Sequence, residues 1–149
     1  MGSYKKFARF KGGVRKWGAD NTFPLIEVLK VCGLSDALWA LRCCEPVAER
    51  DKLARLFACD CAERVLPLFE KRYPNDKRPR KAIEVARRFV IGEATRGEWS
   101  ATWSATWSAA RSATWSAARS AAWSAARSAE IEWQTNHLQE MLSMCQVCK

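Results

Sequence analysis

The feature that most constrains this chain is a tetrapeptide repeat that runs from residue 99 to residue 129. Its first position is Trp or Arg, and its second and third positions are Ser and Ala throughout. Alanine is the strongest helix former and a poor strand former. Disordered segments contain few aromatic residues, whereas this tract contains five tryptophans. The preceding segment, Thr95-Arg96-Gly97-Glu98, matches a helix-initiating capping box. The pattern therefore favours a long helix over 96–144 rather than a strand or a disordered tract.

A four-residue period does not match the 3.6 residues of a helical turn, so the Trp/Arg stripe advances about 40° with each repeat. Five tryptophans represent about 1,000 Å² of surface, which is more than a monomer usually leaves exposed in one patch. Trp99 and Trp107 can face the earlier helices, whereas Trp115 and Trp123 point toward a partner protein or a second copy. Alternatively, the arginines shield neighbouring rings by cation–π contact. The predicted partner-binding residues are Trp107, Arg111, Trp115, Arg119, Trp123 and Arg127.

The chain from residue 20 to residue 91 shows apolar residues at helical spacing and no sustained alternation. Its expected helix boundaries are Thr22 or Asn21 before Pro24, Gly33, Ser35, Pro46, Pro67, Pro79 and Gly92, and residues 73–76 are expected to form a turn. The apolar side of the helix after Pro24 consists of Leu25, Ile26, Val28 and Leu29, and that of the short helix after Ser35 consists of Leu38, Leu41 and Trp39. A longer helix from Val47 is expected to bury Leu53, Leu56, Phe57, Cys61, Val65 and Leu68, and to kink or end near Leu66. The predicted fold is all-α, a bundle of short helices with one long Ala/Ser/Trp-rich C-terminal helix. We expect a basic N-terminal segment, 1–19, and a single helical domain, 20–149.

The net charge of +9 is concentrated in two segments. Residues 1–19 carry six bases and no acid, and residues 71–88 carry eight bases and two acids. Two interpretations of such segments are open: a solvated surface that aids solubility, or a surface that attracts acidic partners such as nucleic acid. In the nucleic-acid alternative, the phosphates contact Lys5, Lys6, Arg9, Lys11, Arg15, Lys16, Arg78, Arg80 and Lys81. Phe7, Phe10 or Trp17 then stacks on bases.

The sequence offers little reaction chemistry. His137 is the single histidine, so a multi-histidine metal site is excluded, and no Gly-rich phosphate loop occurs. Asp60 and Glu63 have the spacing of an acid/base pair on a helix, but local ion pairs with Arg64 or Arg55 are the commoner use of such residues. We therefore predict no catalytic residue, no cofactor and no enzymatic activity.

Seven cysteines without a secretion signal favour free thiols in the cytoplasm over a disulfide framework. Cys59, Cys61, Cys145 and Cys148 could supply four thiolates to zinc, although small buried thiols are the favoured interpretation and no metal is predicted. No apolar run is long enough for a membrane helix, so no membrane partner is expected.

Three motifs resemble a known family: residues 34–42, LSDALWALR; residues 53–70, LARLFACDCAERVLPLFE; and residues 78–84, RPRKAIE. Together with the Ala-rich tract after Gly92, they resemble the bacterial immunity proteins of the "immunity protein five-like" family. The resemblance implies an all-helical, non-enzymatic inhibitor that binds a protein toxin and neutralises it. The alternatives are a phage- or mobile-element-encoded inhibitor of a host defence nuclease such as a CRISPR effector (an anti-CRISPR protein), a basic nucleic-acid-binding protein, and a homodimer formed through the repeat helix.

Overall fold

The computed structural model describes residues 2–17, 21–102 and 123–144. Within these ranges every regular element is helical, which confirms the all-α prediction. The helices are α1 (Ser3–Phe10), α2 (Val14–Trp17), α3 (Leu25–Cys32), α4 (Leu34–Ala40), a 3₁₀ turn (Leu41–Cys43), α5 (Val47–Arg72), α6 (Arg78–Val90), α7 (described over 96–102) and α8 (Trp123–Met144). The predicted helix over 96–144 is thus helical at both ends, and its middle lies outside the described residues.

The chain divides into two compact units. Unit 1 comprises Met1–Leu53 and Ala129–Lys149, and unit 2 comprises Ala54–Ser128. Helix α5 contributes residues to both units. The expected division into a basic segment and a single domain 20–149 remains a prediction.

The core of unit 1 forms where α3 packs against α1 and α4. Leu25, Val28 and Leu29 of α3 are buried, as the sequence predicts. The other buried apolar residues of this unit are Phe7, Ala37, Leu41, Cys44, Leu53, Leu138 and Leu142. The C-terminal part of α8 therefore supplies core residues to unit 1 instead of projecting from it as a bare helix.

Helix boundaries follow local chemistry at several predicted positions. Gly33 ends α3 with φ of 94°, a conformation that suits glycine. Ahead of α7, the Thr95 backbone N–H donates to Glu98 Oε2 at 2.7 Å, and the Glu98 N–H donates to Thr95 Oγ1 at 3.2 Å. These reciprocal bonds confirm the predicted capping box. Pro79 lies in the first turn of α6, also as predicted.

Three boundary predictions need correction. Neither Asn21 nor Thr22 caps α3, which begins at Leu25 with Pro24 at the N-cap. Ser35 does not cap α4, because the helix begins one residue earlier with Gly33 at the N-cap. Of the two outcomes expected at Pro67, a kink or an end, the end is wrong, because α5 continues to Arg72. The proline ring is exposed, so the helix continues past it even though residue 67 has no N–H to donate to the carbonyl of residue 63.

Candidate functional site

The candidate site among the described residues lies at the turn between α5 and α6. Helix α5 ends at Arg72, α6 begins at Arg78, and the Asp76 N–H donates to the Tyr73 carbonyl across the turn at 3.1 Å. The turn borders an open depression of about 750 Å³. Its lining residues are Arg72, Tyr73, Pro74, Asn75, Asp76, Lys77, Arg78 and Lys81. The predicted turn at residues 73–76 is confirmed, and it supplies half of this lining.

The depression carries four cations and one carboxylate. The Arg78 guanidinium donates to both side-chain oxygens of Asp76, with Nε 2.9 Å from Oδ1 and NH2 2.6 Å from Oδ2. The Arg78 side-chain hydrogen bonds lower the pKa of Asp76 to about 2, so this carboxylate is ionised at neutral pH. Asp76 therefore neutralises Arg78 and leaves the charges of Arg72, Lys77 and Lys81 unopposed within the lining.

An aromatic ring lies among these charges. Tyr73 is 37% exposed, and its ring centroid lies 5.0 Å from that of Phe69 on α5. The Arg72 guanidinium lies over the Tyr73 ring at 5.7 Å, within cation–π range. The depression thus presents a partly exposed tyrosine beside an arginine, two residue types that are enriched at energetically important positions of protein interfaces.

Ion pairs between α5 and α6 hold the turn. Arg80 makes a two-pronged contact with Glu70, at 2.8 Å and 2.7 Å, and these hydrogen bonds lower the pKa of Glu70. Further along, Arg87 NH2 donates to Asp60 at 2.6 Å and to Glu63 at 2.5 Å. Two links thus connect the same helices, one beside the turn and one further along them.

Asp60 and Glu63 share a partner on the neighbouring helix that the sequence did not suggest. The local pairing with Arg64 or Arg55 stays a prediction, and the structure binds both carboxylates to Arg87, 27 and 24 residues away. One guanidinium shared by both carboxylates is a structural arrangement that joins two helices. Sequence spacing alone could not identify Arg87, because the contact depends on how α5 and α6 pack.

The first tryptophan of the repeat packs within unit 2. The Trp99 ring stacks on Phe89 of α6, with centroids 5.8 Å apart, and Arg55 of α5 lies over the Phe89 ring at 5.4 Å. This confirms that Trp99 faces the earlier helices. Of the predicted partner-binding residues, Trp107, Arg111, Trp115 and Arg119 lie outside the described residues. Trp123 is described only as the first residue of α8, Arg127 is exposed, and the partner-binding surface on the repeat remains a prediction.

The predicted nucleic-acid-binding residues fall into two sets with different surroundings. Arg78, Arg80 and Lys81 belong to unit 2, where Arg78 and Arg80 are each bound to a carboxylate. In unit 1, Lys11 is bound to Glu27. The other predicted nucleic-acid-binding residues of that unit are exposed; they are Lys5, Lys6, Arg9, Arg15 and Lys16. Sequence reasoning missed Arg72 and Tyr73 at the turn, although the basic run 71–88 together with the turn at 73–76 was a usable signal.

The cysteines follow the favoured interpretation in part. Cys59 is 5% exposed, and burial raises the pKa of its thiol, as for a core residue. Cys145 and Cys148 lie outside the described residues, and the described part of the chain holds no group of three metal-binding side chains. Cys44 is disulfide-bonded. The preference for free thiols is therefore wrong at Cys44, because pairing depends on spatial proximity that sequence spacing does not reveal.

The sequence model of one protein family, described as Imm-5 like putative immunity protein, matches residues 46–141. The chain belongs to this family. The match confirms the family resemblance and covers the motifs at 53–70 and 78–84, whereas the motif at 34–42 lies before the matched region. Neither the curated proteins nor the solved structures contain a significant match to the chain.

The region shared with the Imm-5 like family contains α5, α6, the basic depression and the ion pairs that hold the turn. Helices α1 to α4 precede the matched region. In the described ranges, no helix is both long and apolar enough to span a membrane. Membership of an immunity-protein family points to an inhibitor-like role with a protein as the partner.

Proposed function

We propose that this protein is a non-enzymatic inhibitor that binds a protein toxin, and that the basic depression at the α5–α6 turn docks on an acidic patch of that toxin. The observation that carries the proposal is the position of the depression. It lies within the part of the chain that defines the immunity-protein family.

The charge of the depression supports an acidic partner. Arg72, Lys77 and Lys81 have no carboxylate within the lining to offset them, since Asp76 is bound to Arg78. A compact group of like charges attracts an oppositely charged surface over a distance and accelerates association. An acidic patch that surrounds the turn would also satisfy the exposed ammonium groups after water is displaced.

Ion pairs between the two helices favour a preformed binding surface. The Arg80–Glu70 pair joins α5 to the N-terminal part of α6, and the Arg87–Asp60 pair joins α5 to its C-terminal part. A surface that is already ordered loses less conformational entropy on binding than a flexible loop does. Tyr73, supported by Phe69, then supplies a ring that is held in place before the partner arrives.

The predicted repeat residues are a second proposed contact with the same partner. Arg127 is exposed in the structure, consistent with a role at an interface. In this arrangement the basic turn steers the encounter, and the tryptophans of the repeat add apolar contact area. The cytoplasm remains the predicted compartment for the complex.

The proposal is tested with a charge-reversal variant, Lys77→Glu/Lys81→Glu. Immobilised full-length protein first captures its partner from a lysate of the source cells. The partner is identified by mass spectrometry and purified, and its binding kinetics are measured by biolayer interferometry. We expect the variant to bind at least 10-fold more weakly than the wild type, mainly through slower association, because the steering charges have been reversed.

The matched control is Lys30→Glu/Lys52→Glu, which changes the net charge by the same amount at exposed positions of unit 1 that are not among the lining residues. Its affinity should stay within about threefold of the wild type. Equal weakening by both variants would show that net charge alone controls binding and that the turn is not the docking surface. A captured protein whose toxic activity is unaffected by binding would contradict the inhibitor function itself.

A further inference from the structure

The outer face of α1 carries a group of cations without internal counter-charges. Each residue advances about 100° around a helix, so Lys5, Arg9 and Lys6 fall within an arc of about 100°. The arc lies on the side of α1 opposite Phe7, which is buried at 9% exposure. All three cations are exposed. Helix α1 thus has one face that packs inside unit 1 and one face that is entirely basic.

The structure pairs some bases of each basic segment with carboxylates and leaves others outside ion pairs. Arg78, Arg80 and Arg87 each bind a carboxylate within their own unit. Of the six bases in the first 19 residues, Lys11 binds Glu27. Within the described part of the chain, no ion pair joins the other five bases to a carboxylate; they are Lys5, Lys6, Arg9, Arg15 and Lys16. In the described part of the chain, five bases of each segment therefore lie outside these ion pairs, and in the N-terminal segment they include the whole basic face of α1.

Aromatic rings border the basic face on both sides. Tyr4 is 70% exposed and Phe10 is 56% exposed. The predicted stacking role of Phe7 is wrong, because its ring packs inside unit 1, with its centroid 4.8 Å from that of Phe23. The side chain of Trp17 lies outside the described residues. Tyr4, which the sequence reasoning did not single out, is thus the most exposed aromatic ring beside the cations of α1.

We infer that α1 and α2 form a binding surface for single-stranded nucleic acid. Lys5 and Arg9 are one helical turn apart, about 6 Å along the axis, a distance comparable with that between neighbouring phosphates of one strand. The cations contact successive phosphates, and Tyr4 and Phe10 stack on unpaired bases. This combination of a basic track and exposed aromatic rings is how sequence-tolerant single-strand binding is achieved.

An anionic membrane surface fits the same helix less well. A helix that lies on a membrane inserts its apolar face between the lipids. The apolar face of α1 is occupied, because Phe7 packs against Phe23 and α1 packs against α3. The proposed surface also lies before the family-matched region 46–141, so it is independent of the inhibitor function proposed above.

The test measures binding of the full-length protein to a fluorescent 20-nucleotide single strand by anisotropy, between 50 and 200 mM salt. Five phosphate contacts predict a slope of log affinity against log salt of about −3.5, since each contact on a single strand contributes about 0.7. Affinity should then fall roughly 100-fold over this range. In the variant Lys5→Gln/Lys6→Gln/Arg9→Gln the slope should become shallower, at about −1.4, because three phosphate contacts are lost.

The control variant Lys30→Gln/Lys52→Gln/Lys71→Gln has the same net charge and should retain the wild-type slope. Tyr4→Ala should weaken binding about fivefold or more with an unchanged slope, because stacking does not release counterions. Equal slopes in the two triple variants would overturn the proposal. Two other results would also overturn it. One is that poly-glutamate of equal charge displaces the labelled strand as well as an unlabelled strand does. The other is that the wild-type protein binds anionic vesicles more tightly than it binds the strand.

Discussion

Replacing Leu138 with alanine is expected to destabilise the protein by about 2–5 kcal/mol, the range found when a buried leucine is truncated. Leu138 is fully buried, and among the described residues it is the largest side chain in that state. Since domains of this kind are stable by about 5–15 kcal/mol, the substitution should remove a large fraction of the total. The measurement is urea unfolding followed by circular dichroism, with a lower midpoint and an unchanged slope.

The control for Leu138 is Met144→Ala on the same helix, since Met144 is 80% exposed. This change should alter the free energy of unfolding by no more than about 0.5 kcal/mol. The comparison tests whether the C-terminal part of α8 belongs to the core of unit 1. A Leu138→Ala variant as stable as the Met144→Ala variant would mean that α8 is not part of that core in solution.

Replacing Pro67 with alanine is expected to stabilise the protein by about 1–3 kcal/mol. A proline inside a helix is about 3 kcal/mol less favourable than alanine, and alanine returns up to about 1 kcal/mol of this by giving the unfolded chain more freedom. Pro67 lies inside α5 and its ring is exposed, so alanine at this position restores an N–H donor without removing a core contact. The same urea titration measures the gain.

Leu68→Ala is the neighbouring control, since Leu68 is 74% exposed and lies in the same turn of α5. It should leave stability within about 0.5 kcal/mol of the wild type. A Pro67→Ala variant that is less stable than the wild type would show that unit 2 requires the local bend caused by proline. In that case Pro67 would contribute to the stability of unit 2, and alanine at this position would remove that contribution.

Short-range chemistry in the sequence predicted where helices begin and end. Gly33 can adopt the positive φ that ends α3, and Thr95 and Glu98 satisfy each other's backbone N–H groups before α7. These signals act within four residues and do not depend on packing. The family motifs predicted membership of the immunity-protein family for the same reason, because they are read directly from the residues.

The side of α5 that is buried could not be predicted from its periodicity. Leu53 and Phe57 are buried as expected, but Val65 is 42% exposed. Leu68, which was also expected to be buried, is 74% exposed, whereas Cys59 at the middle of the helix and Leu66 are buried. Cys59 and Leu66 lie about 180–240° around the helix from Leu53 and Phe57. The buried residues of α5 therefore do not form one continuous apolar stripe.

Helix α4 shows the same limit on a smaller scale. The sequence placed Leu38 and Trp39 on a buried face, whereas they are 38% and 63% exposed. The helix has seven residues, and its contact with the core passes through Ala37 and the following Leu41. Trp39 lies about 200° from Ala37 around the helix, and the Arg42 guanidinium lies 5.2 Å from its ring centroid. The most hydrophobic side chain of a short helix need not define its buried face.

The candidate site depended on the same kind of information. The basic run 71–88 showed that positive charge would be present near the turn, but only the packing of α5 on α6 determines which charges are neutralised. Arg80 and Arg87 bind carboxylates of α5, whereas Lys77 and Lys81 line the open depression. A sum of charges over a segment cannot separate these two groups.

Inhibition by binding alone is tested most directly by titrating the activity of the captured target with this protein. We expect the target's activity to fall linearly with the protein added and to reach zero at one equivalent. The variant Lys77→Glu/Lys81→Glu should inhibit less at each concentration, because it binds the target more weakly. Full loss of activity at a small fraction of one equivalent would reveal turnover and therefore an enzyme. Full activity in the presence of a large excess would contradict the proposed role as an inhibitor.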